Sequence, residues 1–237
     1  MNDVRWERLG VLGGVVFVVL DLVVAGVGGE PPGGAASAQE ISAYFVDHAA
    51  GLEAGLWLFG IAAVALMWWS GSLWRWMVRA EGGAARLAAV SIVGLALAGA
   101  LSLTASAVWA AMALHISDVG ASAPFVYSLG ALMLAASGFG VATHVLAASI
   151  AGARARALPA WTVGCAVLSA AAFIVSGVLT ATTTSEVAKS TGLVGFVLWC
   201  VWILATSFRM WRDSPRLPLI VPDTASAAPT RLVADAR

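Results

Sequence analysis

Charged residues are scarce in this chain, and their scarcity excludes several classes of protein. Of its 237 residues only 11% are charged, with 13 Lys and Arg balanced by 13 Asp and Glu. A soluble domain carries roughly 25% charged residues, which cover its water-facing surface. Nucleic-acid binding would also call for a surplus of positive charge, which is absent. The composition therefore excludes a soluble enzyme and a disordered chain, and no nucleic-acid partner is expected.

Cysteine is equally rare, with two residues in the whole chain. Small secreted domains held together by disulfides need many more. What the chain does contain is hydrophobic residues, which make up 60% of it, and its mean hydropathy is +0.90. These values predict an integral membrane protein with several spans, whose immediate partner is the lipid bilayer.

Six apolar runs are long enough to cross a membrane, for which a helix needs about 20 residues. They cover approximately residues 9–29, 52–77, 87–116, 124–151, 160–181 and 193–210. The runs are continuous rather than alternating, which favours helices over β-strands. We predict an all-α fold: a six-transmembrane-helix bundle formed by residues 1–211. The proline-rich residues 212–237 are predicted to be a disordered cytoplasmic tail.

Basic residues predict the orientation of the bundle. Twelve of the 13 Lys and Arg residues lie before the first span, near the second and fourth connections, or after the last span. In a six-span topology these places share one side of the membrane, and only Lys189 lies on the other side. Lys and Arg concentrate in cytoplasmic loops, so both termini are predicted to be cytoplasmic, with the protein in the cell inner membrane. Arg5, Arg8 and the small-residue triplet at 36–38 leave a cleaved signal peptide as an alternative for the first span.

The first external connection contains a helix signal. Ser37 and Glu40 match the capping box that begins many helices. An apolar stripe follows at i, i+3, i+4 and i+7, formed by Ile41, Tyr44, Phe45 and His48. We predict a short external amphipathic helix over residues 37–48. It would either cover the end of the bundle or act as a lid over an external cavity.

Asp21 is the only acidic residue well inside a span. A charged carboxylate is costly in hydrocarbon, so such a residue is expected to face the bundle. Its helical stripe supports this, because it contains glycines that allow close helix contact: Gly10, Gly14, Phe17, Val24 and Gly28. Asp21 is either a neutral or hydrogen-bonded group that joins two helices, or a ligand-binding or proton-coupling group.

His144 is a second polar residue inside a span, and it also lies on a small-residue stripe. The stripe consists of Gly130, Ser137, Gly140 and Ala148. This pattern predicts a tight packing face, on which His144 forms a hydrogen bond to a neighbouring helix or serves as a ligand or proton-coupling group. The predicted depths of His144 and Asp21 differ, so no direct pair is expected.

The outer face combines His48, His115, Asp118 and Glu53. Imidazole and carboxylate groups of this kind bind divalent metals such as zinc. Alternatively, they are the acidic surface that remains where positive charge is excluded. The sequence predicts no cofactor.

Tryptophan is abundant, with 11 residues. Seven lie near the predicted cytoplasmic interface: Trp6, Trp68, Trp69, Trp74, Trp76, Trp161 and Trp211. Indole rings favour the headgroup level, so these residues are predicted to form an anchoring belt.

Two short motifs carry a family resemblance. Ala38-Gln39-Glu40-Ile41 follows the first span and Leu158-Pro159-Ala160-Trp161 opens the fifth. With the high Ala, Gly and Trp content, they resemble a domain-of-unknown-function family of small six-helix membrane proteins common in actinobacteria. The resemblance covers about residues 9–210 and supports the topology, and it implies no activity or catalytic residue.

The leading functional prediction is a non-enzymatic membrane protein: an accessory, sensing, or small-ligand- or lipid-binding module. The Gly- and Ala-rich faces suit association with a second copy or a partner membrane protein. The first alternative is a small transporter or channel in which Asp21 titrates. The second is a metal-dependent membrane enzyme with the outer His and carboxylate residues as its site.

Overall fold

The computed structural model describes residues 3–182 and 186–213, and these residues are almost entirely helical. The helices are α1 (Asp3–Val27), α2 (Ala38–Asp47), α3 (Ala49–Ala80), α4 (Arg86–Leu114), α5 (Ile116–Val119), α6 (Ala123–Arg154), α7 (Ala160–Thr182) and α8 (Glu186–Asp213), with a 3-10 turn at Gly120–Ser122. The described residues contain no β-strand. The predicted all-α fold is confirmed. All but two residues of the predicted tail, 212–237, lie outside the described part of the chain.

Six of these helices, α1, α3, α4, α6, α7 and α8, are long and apolar enough to cross a membrane. Large apolar side chains cover their outer surfaces; Trp57, Val93 and Phe125 are each about two-thirds exposed or more (70%, 68% and 73%). Apolar surface on this scale is unfavourable in water and favourable in lipid. The chain is a multi-pass membrane protein.

The six spanning helices form a ring in chain order. Each packs against the next along the chain, and α8 packs against α1 to close the ring. Short connections join antiparallel neighbours, as in other helix bundles. We call the end that carries the start of α1, residues 81–85, residues 155–159 and the end of α8 the arginine end. The opposite end carries residues 28–48, residues 115–122 and the start of α8.

Glycines bring α4 and α6 into backbone contact. A Cβ atom on Gly94 would lie 2.8 Å from the carbonyl oxygen of Gly140, and one on Gly140 would lie 2.6 Å from that of Gly94. Such close approach is typical of membrane helices with small residues at the interface. The whole predicted stripe on α6 is buried, which confirms it as a packing face.

The predicted amphipathic helix is present as α2, and its cap has the expected geometry. The amide of Glu40 donates to Ser37 Oγ over 3.2 Å, and the amide of Ser37 donates to Glu40 Oε2 over 2.7 Å. These hydrogen bonds from Ser37 hold the pKa of Glu40 below its usual value. The helix ends at Asp47, so His48 lies between α2 and α3 rather than inside α2.

α2 covers the opposite end of the bundle. Ile41 and Phe45 are buried in a cluster with Met112 and Tyr127, which belong to α4 and α6. The Tyr44 hydroxyl donates to the carbonyl oxygen of Gly28 over 2.7 Å and ties α2 to the end of α1. α2 is thus packed as a cover over the helix ends beneath it.

Candidate functional site in the bundle interior

Asp21 lies on the inward stripe of α1, where close packing ends. One turn before it, Phe17 and Val18 are almost fully buried, at 2% and 3% exposure. From Leu20 onward the same stripe is only half-buried, and Asp21 and Val24 share this partial exposure. The carboxyl group is therefore partly buried by the bundle but not fully enclosed.

Two hydrophobic clusters flank this level of the bundle. The larger one includes Phe17, and the half-buried Leu20 packs against it. The smaller one lies beneath α2, and Leu52 of α3 packs against it. Asp21 therefore lies close to both clusters, next to Leu20 along α1.

The Asp21 carboxylate forms no hydrogen bond and no ion pair with any described residue. The predicted hydrogen-bonded contact that would join two helices through Asp21 is thus not formed among these residues. An unpaired carboxylate at this depth favours a partner of opposite charge or a bound proton.

His144 is fully buried at the contact between α6 and α4. Its Nδ1 atom lies 2.8 Å from Ser91 Oγ and 3.2 Å from the Ser91 carbonyl oxygen. The predicted hydrogen bond to a neighbouring helix is therefore confirmed. The other ring nitrogen, Nε2, is buried and has no hydrogen-bond partner among the described residues. No contact joins His144 to Asp21, as predicted.

Two tryptophans pack around His144 with their ring edges toward it. The ring centroids of Trp69 and Trp202 lie 6.0 Å and 5.5 Å from the imidazole. Trp69 Nε1 donates to Ser207 Oγ over 2.8 Å, and Trp202 Nε1 donates to Ser149 Oγ over 3.0 Å. Both indole N–H groups are satisfied inside the bundle, as is usual for buried tryptophans.

The burial of Trp69 corrects the predicted anchoring belt. Trp69 and Trp76 are buried, at 0% and 7% exposure, whereas Trp68 and Trp161 are about 60% exposed. Helical periodicity is the signal that separates them, because Trp69 and Trp76 are seven residues apart on the same face as the buried Leu66 and Leu73. Depth alone cannot distinguish an interfacial tryptophan from a core tryptophan.

Hydroxyl groups on α7 bond across to α8 and are therefore part of the packing. Ser169 Oγ donates to the carbonyl oxygen of Gly195, and Ser176 Oγ donates to that of Ala188, each over 2.8 Å. Both cysteines are free and buried.

The outer metal candidates do not come together. His115 Nδ1 lies 3.8 Å from Asp118 Oδ2, and both side chains are largely exposed. His48 instead lies at the end of α2, where its Nδ1 is 3.0 Å from the Tyr44 carbonyl oxygen and its ring stacks on Tyr44. Nowhere in residues 3–182 and 186–213 are three or more His, Cys, Asp or Glu side chains placed to hold a metal, so Glu53 completes no such group. The zinc-type cluster that the sequence left as an alternative is absent from this part of the chain, because its candidate residues belong to separate local structures.

A scan against protein-family models and searches of curated proteins and of solved structures found no match for this chain. The resemblance to the actinobacterial six-helix family therefore stays a prediction. The function is inferred from the interior side chains themselves.

Proposed function

We propose that the protein is a non-enzymatic, membrane-embedded binding or sensing module whose ligand contacts Asp21. The observation that carries this proposal is the half-buried Asp21 carboxylate, which has no hydrogen-bonding or ionic partner among the described residues. A partner of opposite charge stabilises a carboxylate most strongly where water is scarce.

The surroundings of Asp21 define the class of ligand. Val24 faces α3, where its Cγ1 would lie 3.9 Å from a Cβ on Gly55, and Phe17 packs edge-on against Trp199. These neighbours are apolar, so an ionised Asp21 carboxylate would supply the negative charge of the site. The site suits a small hydrophobic cation or amine, whose apolar part contacts these neighbours and whose charge meets Asp21.

Substitution of Asp21 tests this proposal directly. In purified protein we expect Asp21→Asn to weaken binding of the permanent cation tetraphenylphosphonium about tenfold or more, because a desolvated charge pair is lost. Binding should also decline on acidification, because protonation removes the carboxylate charge. Equilibrium dialysis measures both effects.

Glu53→Gln on α3 is the matched control for the Asp21 experiment, because Glu53 is an exposed acid. Its substitution should leave cation binding unchanged. Equal binding by wild type and Asp21→Asn would contradict the proposal. So would an equal loss in Glu53→Gln, which would indicate a general effect of surface charge.

Proton-coupled transport is the second candidate. The Asp21 carboxylate, which has no hydrogen-bonding or ionic partner among the described residues, favours it, because intramembrane carboxylates of this kind occur in proton relays. The same two variants in proteoliposomes distinguish it from binding alone. A cation flux that follows an imposed pH gradient and is lost in Asp21→Asn would assign transport. Cation binding without cation flux would instead support a binding or sensing module.

The excess of arginines at one end further supports a bundle in the cell inner membrane with both termini cytoplasmic. Both native cysteines are buried and should not be labelled, so the labelling signal comes from engineered cysteines alone. On intact spheroplasts, a membrane-impermeant maleimide should label Ser122→Cys at the opposite end and not Ser226→Cys in the tail. The reverse labelling would invert the orientation.

A further inference from the structure

A cluster of aromatic rings and arginines lies where α1 and α8 meet at the arginine end. The guanidinium carbon of Arg8 lies 5.2 Å from the ring centroid of Trp211, and that of Arg212 lies 5.9 Å from the ring of Phe208. We call these four residues the seam cluster. A guanidinium group that lies over an aromatic ring can still form hydrogen bonds through N–H groups at its edge.

Among the described residues, neither arginine of the seam cluster has an anionic partner. Neither forms an ion pair within the described residues, and Arg8 Nε is shielded from solvent with no hydrogen-bond acceptor there. Arg209, one turn from the cluster, differs because its Nε donates to the Ala157 carbonyl oxygen over 3.0 Å. Arg8 is otherwise partly exposed and Arg212 is exposed, so both can meet an anion supplied from outside the chain.

Exposed apolar side chains continue from the cluster toward the middle of the bundle. On α1 they follow Arg8 at helical spacing, and on α8 they precede Trp211 at helical spacing; they are Leu12, Val15, Val201, Leu204 and Phe208. The seam therefore presents positive charge at the level where the spans end and an apolar surface beneath it. Phospholipids have the complementary arrangement, with a phosphate above two acyl chains.

We propose that the seam cluster binds the headgroup of an anionic phospholipid. Arg8 and Arg212 donate to the phosphate oxygens, Trp211 lies at the headgroup level, and the acyl chains follow the apolar surfaces of α1 and α8. Arginine suits this role because its planar group forms two parallel hydrogen bonds to phosphate. The site is separate from Asp21 and does not depend on the function proposed for that residue.

Native mass spectrometry of the detergent-purified full chain tests this site. Phosphatidylglycerol is the probe, phosphatidylcholine is the uncharged comparison, and inorganic phosphate is the competitor. We expect wild type to retain phosphatidylglycerol in preference to phosphatidylcholine. Arg8→Gln/Arg212→Gln should retain it about tenfold less, because charge-assisted hydrogen bonds are lost.

Arg86→Gln is the matched control, because Arg86 is an exposed arginine at the same end for which the structure shows no aromatic stacking partner. It should retain phosphatidylglycerol as wild type does. Arg212→Gln alone changes an exposed side chain and should lose part of the phosphatidylglycerol retention. This single variant tests the site if the double variant does not fold. Equal retention by wild type and Arg212→Gln, or equal loss in Arg86→Gln, would overturn the site. Displacement of the lipid by equimolar inorganic phosphate would assign the arginines to free phosphate and overturn the lipid assignment.

Discussion

Replacing Trp202 with alanine is expected to destabilise the bundle by about 3–5 kcal/mol, the usual cost of removing a large aromatic side chain from a packed interior. Trp202 is fully buried, and its ring packs against both His144 and Trp69. The change would leave a cavity beside these rings and would remove the donor to Ser149 Oγ. The free energy of unfolding can be measured by titrating the purified protein with sodium dodecyl sulfate and following its circular dichroism.

Two companion variants separate the causes of the Trp202 effect. Trp202→Phe retains most of the ring and loses the hydrogen bond to Ser149, so it should cost about 1 kcal/mol. Trp57→Ala removes an indole that is 70% exposed and should change the free energy of unfolding by about 0.5 kcal/mol or less. Similar losses in Trp57→Ala and Trp202→Ala would show that Trp202 is not part of a packed core.

Replacing Gly94 with alanine is expected to cost about 1–3 kcal/mol, although it adds only one methyl group. The new Cβ would lie 2.8 Å from the Gly140 carbonyl oxygen and 3.0 Å from the backbone nitrogen of His144. Both neighbours are backbone atoms, so the contact is relieved only if α4 and α6 move apart. That movement would also lengthen the hydrogen bond between Ser91 and His144.

Gly99→Ala on the same helix is the matched control, because a Cβ there would contact nothing within 4 Å. Alanine is the better helix former, so this variant should be neutral or more stable by up to about 1 kcal/mol. The same unfolding titration compares the two variants. A Gly94→Ala protein as stable as Gly99→Ala would contradict the close contact between α4 and α6.

Much of the fold follows from simple patterns in the sequence. The apolar runs predict all six spans, and most helices of the structure extend beyond the predicted runs, for example Ala49–Ala80 where residues 52–77 are predicted. The capping box at Ser37 identifies the start of α2, because its geometry is local to four residues. Features that depend on span length or on local hydrogen bonds can be predicted from one sequence.

Features that depend on which helices meet cannot be predicted in this way. The glycine stripes identify packing faces, yet Gly94 and Gly140 meet each other inside one chain rather than joining two copies or a partner. His144 is predicted to bond to a neighbouring helix, but only the structure identifies Ser91 as that partner. Likewise, the metal candidates share one end of the bundle, and side-chain proximity there depends on loop positions that composition does not encode.

The ring order of the helices has a consequence for synthesis of the protein. Five of the six interfaces join helices that follow one another along the chain, so each can form as soon as its second helix enters the bilayer. The sixth joins the first spanning helix to the last, so it must wait for the synthesis of α8. The hydrogen bonds from α8 across the ring to Trp69 and Ser149 must wait as well. Until then the polar groups of the interior face lipid or the insertion machinery. The α1–α8 interface is therefore the last interface of the ring to form, and until then the ring of helices is open.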